Sequence, residues 1–196
     1  MAIVARMAVP RARTFDEAYL FMELRPCVCG EAQFDRQSDH SSTDGTFVVR
    51  YTGQCPSCGR SRSFTFELPP ETPAISFDVE YGSGNAPSTL LDAGEWLGAA
   101  ELFAVNADAV QSSGDLSDDD LSTVYHLLSA AAAATAEVLK FAPAGVGEVP
   151  EAAFWTPVGR LALQVAPERF RRDAIEAELA DRRRALSDFE QRHGPG

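Results

Sequence analysis

Lysine is almost missing from this chain. One residue of 196, Lys140, is lysine, against sixteen arginines; a bias of that kind follows codon usage and excludes no function. Long apolar runs are missing as well. No stretch reaches the roughly 18 residues that a membrane-spanning helix needs, and the opening MAIVARMAVPRART has no apolar core of a secretory signal. The expected compartment is therefore the cytoplasm. Histidine is scarce, at His40, His126 and His193, and no G-x-S-x-G, H-E-x-x-H or phosphate-loop pattern occurs. Gly82-Ser83-Gly84 precedes no helix that carries a phosphate-loop lysine. Nucleophilic catalysis needs a nucleophile, a base and a group that orients the base. No such set stands out, so no enzyme activity is expected. Glu95-Trp96 could place a carboxylate beside a buried ring, but the simpler reading turns Glu95 to solvent and Trp96 to the core.

What is present is an ordinary globular composition with an uneven charge. Hydrophobic residues make up 45 %, enough for a core without many cross-links. The net charge is −12. Residues 1–70 carry eight arginines and eight acidic residues, and residues 167–196 carry seven of each. Residues 71–166 carry Lys140 and Arg160 against fourteen acidic residues, so the whole excess sits there. Such a segment repels phosphate backbones and attracts basic surfaces, besides keeping the chain soluble.

Thr14-Phe15-Asp16-Glu17 is a capping-box signal, and Phe15, Ala18, Tyr19 and Met22 recur at helical spacing, so a helix is expected over about 15–24. A strand is expected near Phe34, then the polar loop QSDHSSTDG (37–45), then strands Thr46–Tyr51 and Ser63–Leu68, both rich in aromatic and β-branched residues. PPETP (69–73) breaks the pattern, and one more strand is expected over Ile75–Tyr81. Helical patterns follow: one after Pro87-Ser88-Thr89, with Leu91, Trp96, Leu97, Ala100 and Phe103 on a broad face, and one opened by the cap Ser117-Asp118-Asp119-Asp120. A short amphipathic piece over 154–165 and a last helix over about 168–192 complete the chain. The apolar stripe of that last helix is Phe170, Ile175, Leu179, Leu186 and Phe189. The fold class is α+β. Residues 14–81 form a helix with a small antiparallel sheet and residues 87–192 form a part of three to four helices, on one core or two.

All four cysteines lie in RPCVCGEAQF (25–34) and TGQCPSCGRS (52–61). Cys55-Pro56-Ser57-Cys58-Gly59 is a C-x-x-C-G turn, which points two thiolates at one ion, and Gly59 permits the positive φ such turns need. Cys27-Val28-Cys29-Gly30 repeats the idea one residue shorter. Each pair sits beside expected strand, and the segment over about 25–68 resembles a zinc ribbon. That resemblance implies a tetrahedral four-cysteine site for a structural Zn²⁺, with Cys27, Cys29, Cys55 and Cys58 as ligands. Its departure is C-x-C where ribbons have C-x-x-C. The shorter turn could exclude Cys27 and recruit His40 from the intervening loop. A disulfide framework suits secreted chains, and a thioredoxin-like pair should lead into a helix, so both fit less well.

Two binding roles follow from these features. Asp115, Asp118, Asp119 and Asp120 cluster at an expected helix start and would steer a basic protein partner, as an adaptor or an immunity-type inhibitor does. The alternative is nucleic-acid binding through the ribbon, using Arg50, Arg60 and Arg62 interleaved with Tyr51, Phe64 and Phe66. The −12 charge weighs against it. Self-association through the stripe of the last helix is a third expectation, as a homodimer seam. No membrane partner is expected.

Overall fold

Thr14 ends an extended entry segment: its side chain accepts the Glu17 N–H and starts helix α1 (Phe15–Glu23). Glu17 does not turn back to Thr14 as a reciprocal box would. Its carboxylate takes the Arg13 backbone N–H and guanidinium instead, and the pair is enclosed. The computed structural model describes residues 9–43, 46–69 and 79–194. The chain divides into two compact units, residues 1–75 and 76–196.

In the N-terminal unit, strands β1 (Asp35–Thr43), β2 (Thr46–Gln54) and β3 (Ser61–Leu68) form an antiparallel sheet in sequence order. The polar run expected as a loop is therefore mostly strand. β1 pairs with β2 over its full length, from Asp35↔Gln54 to Thr43↔Thr46. Residues 35–42 are all exposed, so β1 is held by backbone hydrogen bonds at a sheet edge and buries no side chain to reveal it. On β3, Arg62, Phe64, Phe66 and Leu68 alternate onto one face. There they meet α1: Phe21 packs edge-on against Phe64 and Phe66, and Tyr19 against Tyr51. The far edge of β3 pairs with residues 10–12 through Ala12 N–H to Glu67 O and Glu67 N–H to Pro10 O.

Most of the PPETP break and most of the strand expected over Ile75–Tyr81 lie outside the described residues. Residues 79–81 carry no strand, and the Tyr81 ring packs at a tilt against the fully buried Trp96.

The C-terminal unit has four α-helices among the described residues: α2 (Ala93–Gln111), α3 (Asp118–Lys140), α4 (Pro157–Val165) and α5 (Arg172–His193). α2 and α3 pack along each other, α5 packs on α3, and α4 packs on α2. Ala130, Ala131, Ala132 and Ala134 are buried, since small side chains let the helices approach closely. Phe170 sits in a 3₁₀ turn (Pro167–Phe170) before α5, so the last helix begins later than the pattern predicted. Phe170, Ile175, Leu179 and Phe189 are buried within this unit, with Leu186 packed beside them. His193, at the end of α5, packs its ring on Phe189.

α2 does not start at Ser88. Ser88 accepts the Leu90 and Leu91 N–H groups, and the helix opens at a box in which Asp92 accepts from Glu95 N–H and Glu95 from Asp92 N–H. Asp92 also accepts the Thr156 N–H and hydroxyl at 2.7 Å each, while Thr156 caps α4 by accepting the Gly159 N–H. One buried carboxylate thus ends two helices. A Cβ on Gly159 would lie 2.2 Å from the Asp92 carboxylate, so only glycine fits this crossing. With its inner face reduced to glycine, α4 turns Val158, Leu161 and Val165 outward.

Candidate metal centre

The register of the sheet builds this site. The β2–β3 ladder ends at Gln54↔Ser61, so residues 55–60, the second cysteine turn, are the hairpin connection itself. β1 begins opposite Gln54, which brings the first cysteine turn to the same end of the sheet. Each turn closes on its own backbone. In the second, Cys55 N–H donates to Arg60 O and Gly59 N–H to Cys55 O; in the first, Cys27 N–H donates to Glu31 O and Gly30 N–H to Cys27 O. The first loop is one residue shorter, which absorbs the C-x-C spacing without ejecting Cys27. Gly30 and Gly59 have φ of +93° and +70°, the left-handed region that such turns require.

The four sulfurs converge, all within 4.8 Å of one another. The closest approaches cross between the turns: Cys27 Sγ to Cys58 Sγ and Cys29 Sγ to Cys55 Sγ, both 3.5 Å. Four sulfurs about 2.3 Å from a central ion would stand about 3.8 Å apart, so the donor set fits a tetrahedral thiolate site with small adjustment. Cys27 and Cys55 are buried and Cys29 and Cys58 face solvent. The thiols bias one another strongly. The Cys29 N–H donates to Cys27 Sγ and, with the neighbouring thiols, brings Cys27 down to about 7 against the effect of burial. Cys58 accepts the Arg60 N–H, which favours its thiolate, yet the other three sulfurs push it up to about 12. Four sulfurs this close ionise together only with a cation among them.

Three side chains hold the turns: Glu31 and Ser57, which the sequence did not single out, and Arg62, which it offered only as a nucleic-acid contact. Glu31 accepts the Gln33 N–H and the Ser57 hydroxyl at 2.9 Å, tying the first turn to the second. These contacts hold its carboxyl below the usual range. Arg62 is buried, with its guanidinium donating to Ala32 O, Met22 O and Arg25 O and lying over the Phe34 ring at 4.5 Å. It fastens the end of α1 and the exit of the first turn to β3. No sequence motif marks a buried arginine of this kind; the only hint is its alternation with Phe64 and Phe66.

His40 is not part of the cluster. It is exposed on β1, with its ring nitrogen 3.1 Å from Ser38 Oγ and its ring against Phe47. Of the residues grouped for nucleic-acid contact, Tyr51, Arg62 and Phe66 are buried and Phe64 is packed on Phe34, leaving Arg50 and Arg60 exposed. Asp115, Asp118 and Asp119 are exposed around the start of α3. Asp120 is engaged, accepting the Ser117 N–H and hydroxyl, which holds its carboxyl below the usual range. Glu95 is buried beside Trp96, contrary to the solvent-facing expectation, because it closes the box with Asp92. Comparison of the chain with protein-family models, curated proteins and solved structures finds no match.

Proposed function

We propose that Cys27, Cys29, Cys55 and Cys58 bind one Zn²⁺ as thiolates, in a zinc ribbon that stabilises the N-terminal unit of a non-catalytic protein-interaction module. The convergence of four thiols carries this reading. Four sulfur ligands fill a tetrahedral ion and leave no position for water or substrate, which is the pattern of structural zinc. The partner reading rests on charge. The excess of −12 falls in residues 71–166, and Asp115, Asp118 and Asp119 present free carboxylates there for a basic protein surface, as an adaptor or immunity-type inhibitor would. The rings and one of the three arginines that a nucleic-acid reading would use are packed into the core, which leaves only Arg50 and Arg60 for it and favours a protein partner.

Native mass spectrometry with elemental analysis of the same sample tests the metal. One zinc per chain, lost in Cys27→Ser and Cys55→Ser, is the expected result; metal-free protein retaining its fold would overturn it. The partner is tested by capture from total lysate. A basic protein released by salt and missed by the Asp115→Asn/Asp118→Asn/Asp119→Asn variant is expected; capture indifferent to both would remove the acidic-face reading.

A further inference from the structure

We propose that the C-terminal unit carries a binding site for a small amphipathic monoanion, a carboxylate on a short apolar body, in the cavity between the end of α3 and α5. This site is independent of the cysteine cluster. The cavity has a volume of about 390 Å³, within the usual range for small-molecule pockets. Its charged lining is entirely cationic: Lys140, Arg172 and Arg183, with no carboxylate in the wall. The rest of the lining is apolar apart from Asn85, with Leu139, Pro143 and Leu179 as its larger members.

Arg172 and Arg183 come from the charge-balanced residues 167–196, and Lys140 from the acidic segment. Residues 71–166 hold two cationic side chains against fourteen acidic ones, and one of the two, Lys140, is here. Two of the three cations are fixed in place. Lys140 Nζ donates to Gly82 O at 2.8 Å and to Glu137 at 2.6 Å. Arg172 donates to Ala142 O and pairs with Glu176 at 2.8 Å. Glu137 and Glu176 each balance one cation from outside the wall. The third cation, Arg183, makes no hydrogen bond or ion pair with any described residue. Arg183 is exposed at the mouth of the cavity, so water meets its guanidinium, and this planar fork is open to two parallel bonds to a carboxylate. Asn85, exposed on the same rim, has no hydrogen-bond partner among the described residues and offers a further donor. A monoanion balances the charge, and an apolar body covers Leu139 and Leu179.

The test is an NMR titration of the full chain with hexanoate, acetate and hexanol. Hexanoate is expected to give saturable shifts at the Leu139 and Leu179 methyl groups, binding about tenfold tighter than acetate, with no saturation by hexanol. Arg183→Gln should weaken hexanoate about tenfold, the loss of one charge-assisted contact. Arg184→Gln, outside the cavity and paired with Asp181, should leave it unchanged. Absence of saturation by hexanoate on the order of 10 mM, shifts elsewhere in the chain, or binding indifferent to Arg183→Gln would each overturn the proposal.

Discussion

Arg62 shows how one side chain can set a site it never touches. A guanidinium spreads its donors in a plane, so it reaches three carbonyls from different segments while lying flat on Phe34. Lysine has one compact ammonium and can do neither fully. Arg62→Ala should cost about 2–4 kcal/mol, because it strands enclosed carbonyls. Arg62→Lys should recover only part of that in a melting curve, with metal affinity falling in both variants because the first turn loses its anchor. Asp120 gives a prediction about acid. Its carboxyl is held below the ordinary value by the Ser117 hydroxyl and N–H. Its contribution is therefore present above the unfolded pKa and is lost as pH falls through the folded one. Amides of the first turn of α3 should exchange faster below about pH 4, and Asp120→Asn should flatten that pH dependence.

Among the elements, the junction of α2 and α4 concentrates the most constraint. Asp92 caps one helix, holds the cap of the other and fills the space a side chain at Gly159 would need. Asp92→Ala removes a cap and leaves the Thr156 N–H and hydroxyl hydrogen without their acceptor, for an expected loss of about 2–4 kcal/mol. Gly159→Ala should cost about 1–3 kcal/mol by overpacking, although alanine is ordinarily the better helix former. Thermal denaturation checks both, and a Gly159→Ala variant as stable as the parent would show that the crossing can open. Elements whose signal is local were legible in the sequence: the caps at Thr14 and Ser117, strands β2 and β3 with their alternating rings, and both cysteine turns. β1 was not, because its side chains are polar and exposed and only its backbone pairs. The dipeptide between β1 and β2, Asp44-Gly45, was the available cue, being favoured in two-residue hairpins. The short amphipathic piece expected over 154–165 is α4, but its pattern did not show that a glycine contact would leave Val158, Leu161 and Val165 outward. Glu31 and Ser57 were not legible and Arg62 was read as a surface contact, since their roles depend on which carbonyls and hydroxyls the register brings near.

For the whole molecule, the two units have separate means of staying folded. The C-terminal unit has an apolar core that buries Trp96, Phe170, Ile175 and Phe189. The N-terminal unit is a three-stranded sheet with one short helix, close to the size at which small domains rely on metals. With the proposed ion at the four cysteines, a strong chelator should expose the amides of β1, β2, β3 and both turns to exchange, while those of α2, α3 and α5 keep their protection. Uniform loss of protection across the chain would instead mean that the units fold as one.

The second cysteine turn is also the β2–β3 connection, and this bears on the timing of folding. Strands that are sequence neighbours find each other by local search, which is fast. Cys55 and Cys58 are thus delivered to the end of the sheet by a hairpin that does not wait for an ion. Contacts made after the main barrier lengthen the lifetime of the native state without hastening its arrival. Stopped-flow measurements should show the same refolding rate with zinc or with chelator, and slower unfolding with zinc. The ion would then govern how long the N-terminal unit persists, and through that how long it survives proteases between rounds of opening.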